Sequence, residues 1–396
     1  MDPLALSAFT VTSALGRGLA PTLDALLAER SGLRQCDFAG LSLDTWIGRI
    51  DGVEDEPIAG TLSTYDCRNN RLARIALRQD GFENAVAAAA ARYGTERIAV
   101  ILGTTTSGVL AGEEAFANRD PASGYLPANF LHSGTVDHYS LTDFVARQLG
   151  LHGPAFTVST ACSSSAKVFG DAAELLHAGF CDAAVVGGAD SLCKMALRGF
   201  TSLELVSRRP CRPNDATRDG ISIGEAAGFV LLERASAAPP NAIRLLGCGN
   251  SCDAYHMSSP DPDGRGAALA IRAALADAGI SPQDIDYVHQ HGTGTQLNDR
   301  IEDAAIASVI STQTPCSSTK GWTGHTLGAA GVTNAVLAAL FLAQGLLPRN
   351  LHLDQSDPTL QCQIQQQTQR RSIRYVLSNA FGFGGSNCCL VLGITP

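Results

Sequence analysis

Short unbroken apolar runs alternate along this chain with longer stretches in which apolar residues return every three or four positions. The runs at 98–102, 183–186, 229–232, 287–289, 375–377 and 389–392 predict buried strands. The stretches 71–77, 83–92, 163–177, 266–278, 301–309 and 331–343 predict helices. Strands and helices taken in turn predict an α/β architecture. The segment 235–241, with Pro239-Pro240, is the best internal boundary and divides the chain into 1–240 and 241–396. Residues 361–369, rich in glutamine, read as a solvated loop.

A pattern repeats across that boundary. Thr160-Ala161-Cys162-Ser163 opens an apolar helix in the first part, and Ser318-Thr319-Lys320 through His325 does so in the second. Gly224-Glu225-Ala226-Ala227-Gly228 and Gly382-Phe383-Gly384-Gly385 each precede an apolar strand. The echo raises an internal duplication.

Composition narrows the class. Only 17% of the 396 residues are charged, against about 25% in an average soluble chain. Scarce charge with 45% hydrophobic residues predicts extensive burial and a surface covered by a subunit partner, and excludes disorder. A net charge of −9 argues against nucleic-acid binding, which needs a basic face. No secretory signal opens the chain, and its longest apolar run, 335–343, is half the length of a membrane span. Twelve cysteines without CxxC spacing predict reduced thiols in a cytoplasmic protein, most of them small buried hydrophobes.

Cys162 is the exception. Pro154 through Thr160 reads as a strand entering a Ser/Thr turn, and Cys162 opens the helix that follows. At a helix start, free N–H groups and the positive dipole end favour thiolate, and the cysteine N–H can hold an oxyanion. His291, in His291-Gly292-Thr293-Gly294-Thr295, and His325, in Gly324-His325-Thr326, sit in glycine-rich loops that allow close approach to a ligand. One nucleophilic cysteine and two histidines could form an acyl intermediate and stabilise charge on a thioester carbonyl. Asp299 and Glu302 share a helix face, and the glycine-rich surroundings of Lys320 suggest a buried ion pair. Zinc is the competing reading, since His289 and His291 share a strand face, but no third ligand stands at a recurrent metal spacing.

Several separated blocks, in order, resemble the elongating β-ketoacyl-acyl carrier protein synthases of the thiolase-like superfamily. They are Gly153-Pro154 through Cys162-Ser163-Ser164, Arg218-Asp219-Gly220 with Gly224 to Gly228, and Asp253-Ala254-Tyr255-His256-Met257. They continue with His291 to Thr295, Asn298-Asp299 and Glu302, then Ser318-Thr319-Lys320 through His325 and Gly328-Ala329-Ala330-Gly331, then Asn379 through Asn387. The resemblance implies a thiolase-like fold, two duplicated α/β halves in an α-β-α-β-α stack. Cys162 comes from the first half, and His291 and His325 from the second.

It further implies a decarboxylative Claisen condensation. Cys162 would take an acyl group from acyl carrier protein, with the N–H groups of Cys162 and Phe383 as oxyanion hole. His291 and His325 would stabilise the enolate formed from malonyl-carrier protein. Lys320, Glu302 and Asp299 would hold the histidine site, Thr293 and Thr295 would bind the phosphopantetheine arm, and Phe381 would line the substrate site. No metal or cofactor is implied beyond the arm that the carrier brings. The assembly implied is a homodimer, or a heterodimer with a chain-length-factor-like subunit.

Arg68, Arg71, Arg74 and Arg78 fall on one arc of a helix, and beside a family whose carrier is acidic they read as its docking patch, helped by Arg208 and Arg209. Thr106, within Gly103-Thr104-Thr105-Thr106-Ser107-Gly108, and Ile221 stand where elongating fatty-acid enzymes often carry a bulkier apolar residue and an aromatic. These departures leave room for a type II polyketide or aryl-polyene ketosynthase. Two alternatives are weighed: a thiolase acting on coenzyme A esters, disfavoured by the two histidines and residues 382–385, and a non-catalytic chain-length-factor subunit, disfavoured by Cys162.

Overall fold

The structure is a computed structural model that describes residues 1–237, 239 and 241–394. The boundary expected at 240 lies outside the described residues. Strands β1 (Leu4–Ser13), β2 (Ile98–Gly103), β3 (Ala155–Val158), β4 (Ala183–Asp190) and β5 (Ala226–Arg234) lie side by side in the order β3-β2-β4-β5-β1. Strands β6 (Ile243–Cys252), β7 (Tyr287–His289), β8 (Pro315–Ser317), β9 (Tyr375–Gly382) and β10 (Ser386–Ile394) repeat that order as β8-β7-β9-β10-β6. Orientations repeat too: the first three strands of each order are parallel, and the two pairings that follow are antiparallel. The halves join through β1 and β6, where Leu4 faces Leu245 and Ala5 faces Arg244. This is the duplication that the sequence echo raised.

Helices α1 (Arg68–Leu77), α2 (Phe82–Tyr93) and α3 (Tyr139–Leu149) cover the outer face of the first sheet, and α5 (Arg265–Ala278) and α6 (Gln296–Ala307) that of the second. Between the sheets lie α4 (Ser164–His177) and α7 (Ala330–Gln344). Alternation along each strand feeds both layers. Val186, Val230, Val376 and Leu390 point to the central helices, and their neighbours Val185, Phe229, Leu377 and Val391 point outward. Each such side chain contributes about 1.5–3 kcal/mol when fully buried, and strands buried on both faces read as unbroken apolar runs.

Helix α7 with the turn before it, Leu327–Gln344, is apolar enough to span a membrane by composition, with mean hydropathy 1.6, yet 89% of it is buried. It is a core helix. Its first turn meets that of α4: a Cβ on Gly331 would overlap the backbone N of Ala166, and Ser165 Oγ accepts the N–H of Val332 at 2.9 Å. Glycine there lets two helix starts touch, and each start carries a loop of the site.

Candidate active site

Cys162 lies between the end of β3 and the start of α4. Its turn is pinned by the Thr160 N–H on Ser164 Oγ at 2.9 Å and by Ser163 Oγ on the Thr160 carbonyl at 2.8 Å. Ala161, just before it, has φ +51°, a left-handed geometry held by those bonds. Cys162 is 7% exposed. Here the local expectation of a thiolate is overturned. Burial pushes the thiol up to about 11, outweighing the nearby Lys320 charge and the N–H groups of Phe383 and Cys162 that favour the anion. Those two N–H groups converge on the sulfur, as an oxyanion hole requires.

His291 follows β7 and His325 precedes α7, so corresponding loops of the duplicated fold deliver Cys162 and His325 to one point. Sγ of Cys162 and a ring nitrogen of each histidine lie within 4.8 Å of one another. The imidazoles meet edge to face, centroids 5.2 Å apart, and Phe381 packs on His291 at 6.1 Å. Nδ1 of His325 accepts the N–H of Leu327 at 3.1 Å. Nδ1 of His291 faces the Lys320 ammonium at 3.5 Å. With both Nδ1 atoms accepting, both protons reside on Nε2. Burial, reinforced by Lys320, holds both imidazoles well below their usual pKa and therefore neutral.

The supporting shell is polar and buried. Glu302, on α6, accepts the N–H groups of His291 and Gly292 at 2.7 Å and an Asn379 amide proton at 3.0 Å. Asp299, one turn earlier, accepts the N–H groups of Gly294 and Asn214 at 3.1 and 2.9 Å. Burial raises the pKa of both carboxyls. Lys320 donates to the His291 carbonyl. The ion pair expected of Lys320 is absent: among the described residues no carboxylate lies within 4 Å of it, and burial lowers the pKa of its ammonium against the opposing charge of Glu302. Asn379, which opens the last of the resembling blocks, joins this shell; its role was not legible in the sequence because its partner Glu302 is 77 positions away.

Two cavities meet at Cys162. A cleft of about 320 Å³ carries the two histidines, Thr293, Thr295, Phe381 and Ile221 on its walls. A second cavity of about 510 Å³ is walled by Thr106, Met195, Phe200, Leu203 and Leu327, and Phe383 borders both. Thr295 also caps α6, accepting the Asn298 N–H at 3.2 Å.

His289 does not join His291 in the cluster around Cys162. It is fully buried beneath the site, with Nδ1 3.2 Å from the Asn334 carbonyl and Nε2 3.0 Å from Thr319 Oγ1. The zinc reading loses that ligand. The Cys162–His291–His325 spacing would itself suit a small cation, but the Lys320 ammonium, 3.5 Å from His291 Nδ1, opposes a metal ion there.

The arginine patch is also corrected. Arg68 is buried and paired with Glu225 and Glu54, both at 2.6 Å. Arg71 binds Asp66 at 2.6 Å, and Arg74 binds the Glu56 and Pro57 carbonyls at 2.7 and 3.0 Å. Of the four, only Arg78 is exposed. One arc of a helix did gather these charges, but internal acceptors occupy it.

Residues 3–238 match the family model of the β-ketoacyl synthase N-terminal domain, and residues 243–354 that of the C-terminal domain. A 3-oxoacyl-[acyl-carrier-protein] synthase 2 of Vibrio cholerae is 33% identical over 84% of this chain and 87% of its own. The same-named protein of Rhizobium meliloti is 38% identical over 61% of each chain. A ketosynthase of Xenorhabdus doucetiae, solved in complex with its chain length factor, superposes with a TM-score of 0.90 at 40% identity, covering 100% of this chain and 98% of its own.

Proposed function

The chain belongs to the β-ketoacyl synthase family and is an acyltransferase of fatty-acid or polyketide chain elongation; we propose that it condenses an acyl thioester with malonyl-carrier protein through an acyl group on Cys162. One observation carries this reading: a buried sulfur and a ring nitrogen of each histidine converge within 4.8 Å, with both Nδ1 atoms accepting elsewhere and so leaving Nε2–H as the donors. Cys162 attacks the acyl carbonyl, the carrier thioester breaks, and the thiol proton leaves with the phosphopantetheine sulfur. The N–H groups of Cys162 and Phe383 hold the oxyanion, each donor contributing about 10²–10³ in rate. Malonyl-carrier protein then loses carbon dioxide as its C–C bond breaks, and the electron pair forms an enolate held by the Nε2–H groups of His291 and His325. The enolate carbon attacks the acyl-Cys162 carbonyl, the C–S bond breaks, and the released sulfur takes a proton from solvent.

Neutral histidines suit this step, since it needs donors to a forming oxyanion. The cleft with Thr293, Thr295 and Phe381 receives the phosphopantetheine arm, and the cavity with Thr106 receives the acyl chain; no other cofactor takes part. Thr106 and Ile221, small for such walls, favour a specialised polyketide or aryl-polyene chain. The carrier docks at the cleft mouth, where exposed Arg208 and Arg209 flank the lining residues Leu205 and Asp219. The protein works in the cytoplasm as an assembly of two subunits, the partner being a second copy or a chain-length-factor-like subunit. The exposed edge strand β3, with Phe156 at 37% exposure, and the open cavity side at Met195 and Leu203 support that assembly. The test is incubation with acyl-carrier protein followed by mass spectrometry. Cys162 gains the acyl mass, and Cys162→Ala gains none; label on another cysteine would overturn the assignment.

A further inference from the structure

Asp190, the last residue of β4, is fully buried. Among the described residues no cationic group lies within 4 Å of its carboxylate. Neutral donors hold it instead. Oδ1 accepts the hydroxyl of Thr104 at 2.6 Å, and the hydroxyl and N–H of Thr106 and the N–H of Thr105, each at 2.9 Å. Oδ2 accepts the Thr105 hydroxyl and, at 2.6 Å, the N–H of Gly328. The first group belongs to one half of the fold and Gly328 to the other. A carboxylate of this burial needs every one of these bonds.

The two arms lead to different parts of the site. Thr105 and Thr106 wall the cavity beside Cys162, and so does Leu327. Leu327 has φ +52°, an uncommon geometry for a branched side chain, and its N–H is the one that fixes Nδ1 of His325. Gly328, the next residue, must be glycine: a Cβ there would lie 2.7 Å from Asp190 Oδ2 and 2.9 Å from the Thr105 methyl. The carboxylate therefore clamps the turn that orients His325 to the wall that an acyl chain would press.

We propose that Asp190 is a positioning residue, which sets His325 for decarboxylation through the Gly328–Leu327 turn and ties that setting to the wall of the acyl cavity. It touches no reacting atom. This rests on the condensing function proposed above, and the two half-reactions separate the claims.

In Asp190→Asn the amide oxygen serves the Oδ1 side, where most donors gather, and the amide N–H₂ then faces the Gly328 N–H, which loses its acceptor. The negative charge of Asp190 also opposes ionisation of Cys162, so its removal leaves acylation as fast as before or faster. Acyl transfer to Cys162, followed by mass, and carbon dioxide release from malonyl-carrier protein are measured separately on the intact protein. Asp190→Asn is expected to lower kcat for decarboxylation up to about 100-fold, the scale of a small misplacement of a catalytic group, with KM for malonyl-carrier protein unchanged and acylation undiminished. Thr104→Val, which removes one bond to Asp190 together with the acceptor of the Ser107 N–H and lines neither cavity, shows the same split to a smaller degree and covers the case in which Asp190→Asn does not fold. Equal losses in both half-reactions, or undiminished decarboxylation, would overturn the proposal. A wild-type protein that performs neither half-reaction removes the condensing function itself.

Discussion

The backbone N–H of Leu327 points at Nδ1 of His325, 3.1 Å away, and so places the His325 proton on Nε2. A residue two positions along the chain thus decides the tautomer of a catalytic candidate. His291 reaches the same state by another route, with Lys320 as the donor to Nδ1. Two unrelated local devices leave two equivalent donors at one point.

Removing one of those donors separates the half-reactions. His325→Ala is expected to slow carbon dioxide release from malonyl-carrier protein by about 10²–10³, while acyl-Cys162 still forms. Retained decarboxylation in this variant would remove His325 from the enolate site.

Lys320 acts on the sulfur as well as on the imidazoles. Its charge lowers the Cys162 pKa against the burial that pushes it up to about 11. Lys320→Met should therefore shift the pH profile of Cys162 alkylation by iodoacetamide to higher pH and slow the reaction at pH 8. Superimposable profiles for the two proteins would exclude this coupling.

Acid should destabilise the fold early. His289 is held neutral by burial down to about pH 3, and His291 and His325 lie well below their usual value of 6.5. The unfolded chain binds protons at these positions below pH 6.5 and the folded chain does not, so stability is full above that pH and lost as pH falls beneath it. Each histidine contributes a slope of about 1.4 kcal/mol per pH unit. Denaturant midpoints at pH 7.5, 6.5 and 5.5 read this before most carboxylates titrate, and a flat midpoint across them would contradict it.

Arg68→Ala is expected to destabilise the protein by about 3–5 kcal/mol, because it leaves Glu225, fully buried, without its charge partner. The variant should fail in chemical denaturation rather than through a raised KM for carrier-bound substrate. Unchanged stability with a raised KM would restore the docking role.

Gly331→Ala tests the meeting of the two central helices. The added Cβ overlaps Ala166, so α4 and α7 must move apart, at a cost of about 1–3 kcal/mol or more. Loss of activity should accompany the fall in Tm, since both helices begin at site loops. A variant as stable and active as the parent would show that the contact can relax.

Much of this was open to reading from the residues. The apolar runs and the 3.6-residue stretches predicted the strands and helices to within a few positions, for example 183–186 within β4 and 331–343 within α7. Buried strands and helices carry their own periodicities, and those are properties of local backbone geometry. Cys162, His291 and His325 were legible for a related reason: each stands in a glycine- or serine-rich turn next to a predicted element, and turn chemistry is also local.

The arginine stripe that begins at Arg68 looks the same in the sequence whether it faces water or a carboxylate from a distant segment; Glu225 is 157 positions away. Asp190 left no trace, since Gly-Gly-Ala-Asp at a strand end acquires meaning only when Thr104, Thr106 and Gly328 arrive from elsewhere. The helix start above Cys162 correctly indicated donors at the sulfur, but not that desolvation would outweigh them. Periodicity, turn propensity and the identity of the reactive groups thus belong to the chain itself, because short-range sterics and side-chain chemistry set them. Partnership, desolvation and protonation state belong to the folded molecule, because each depends on groups that only folding brings within a few ångströms.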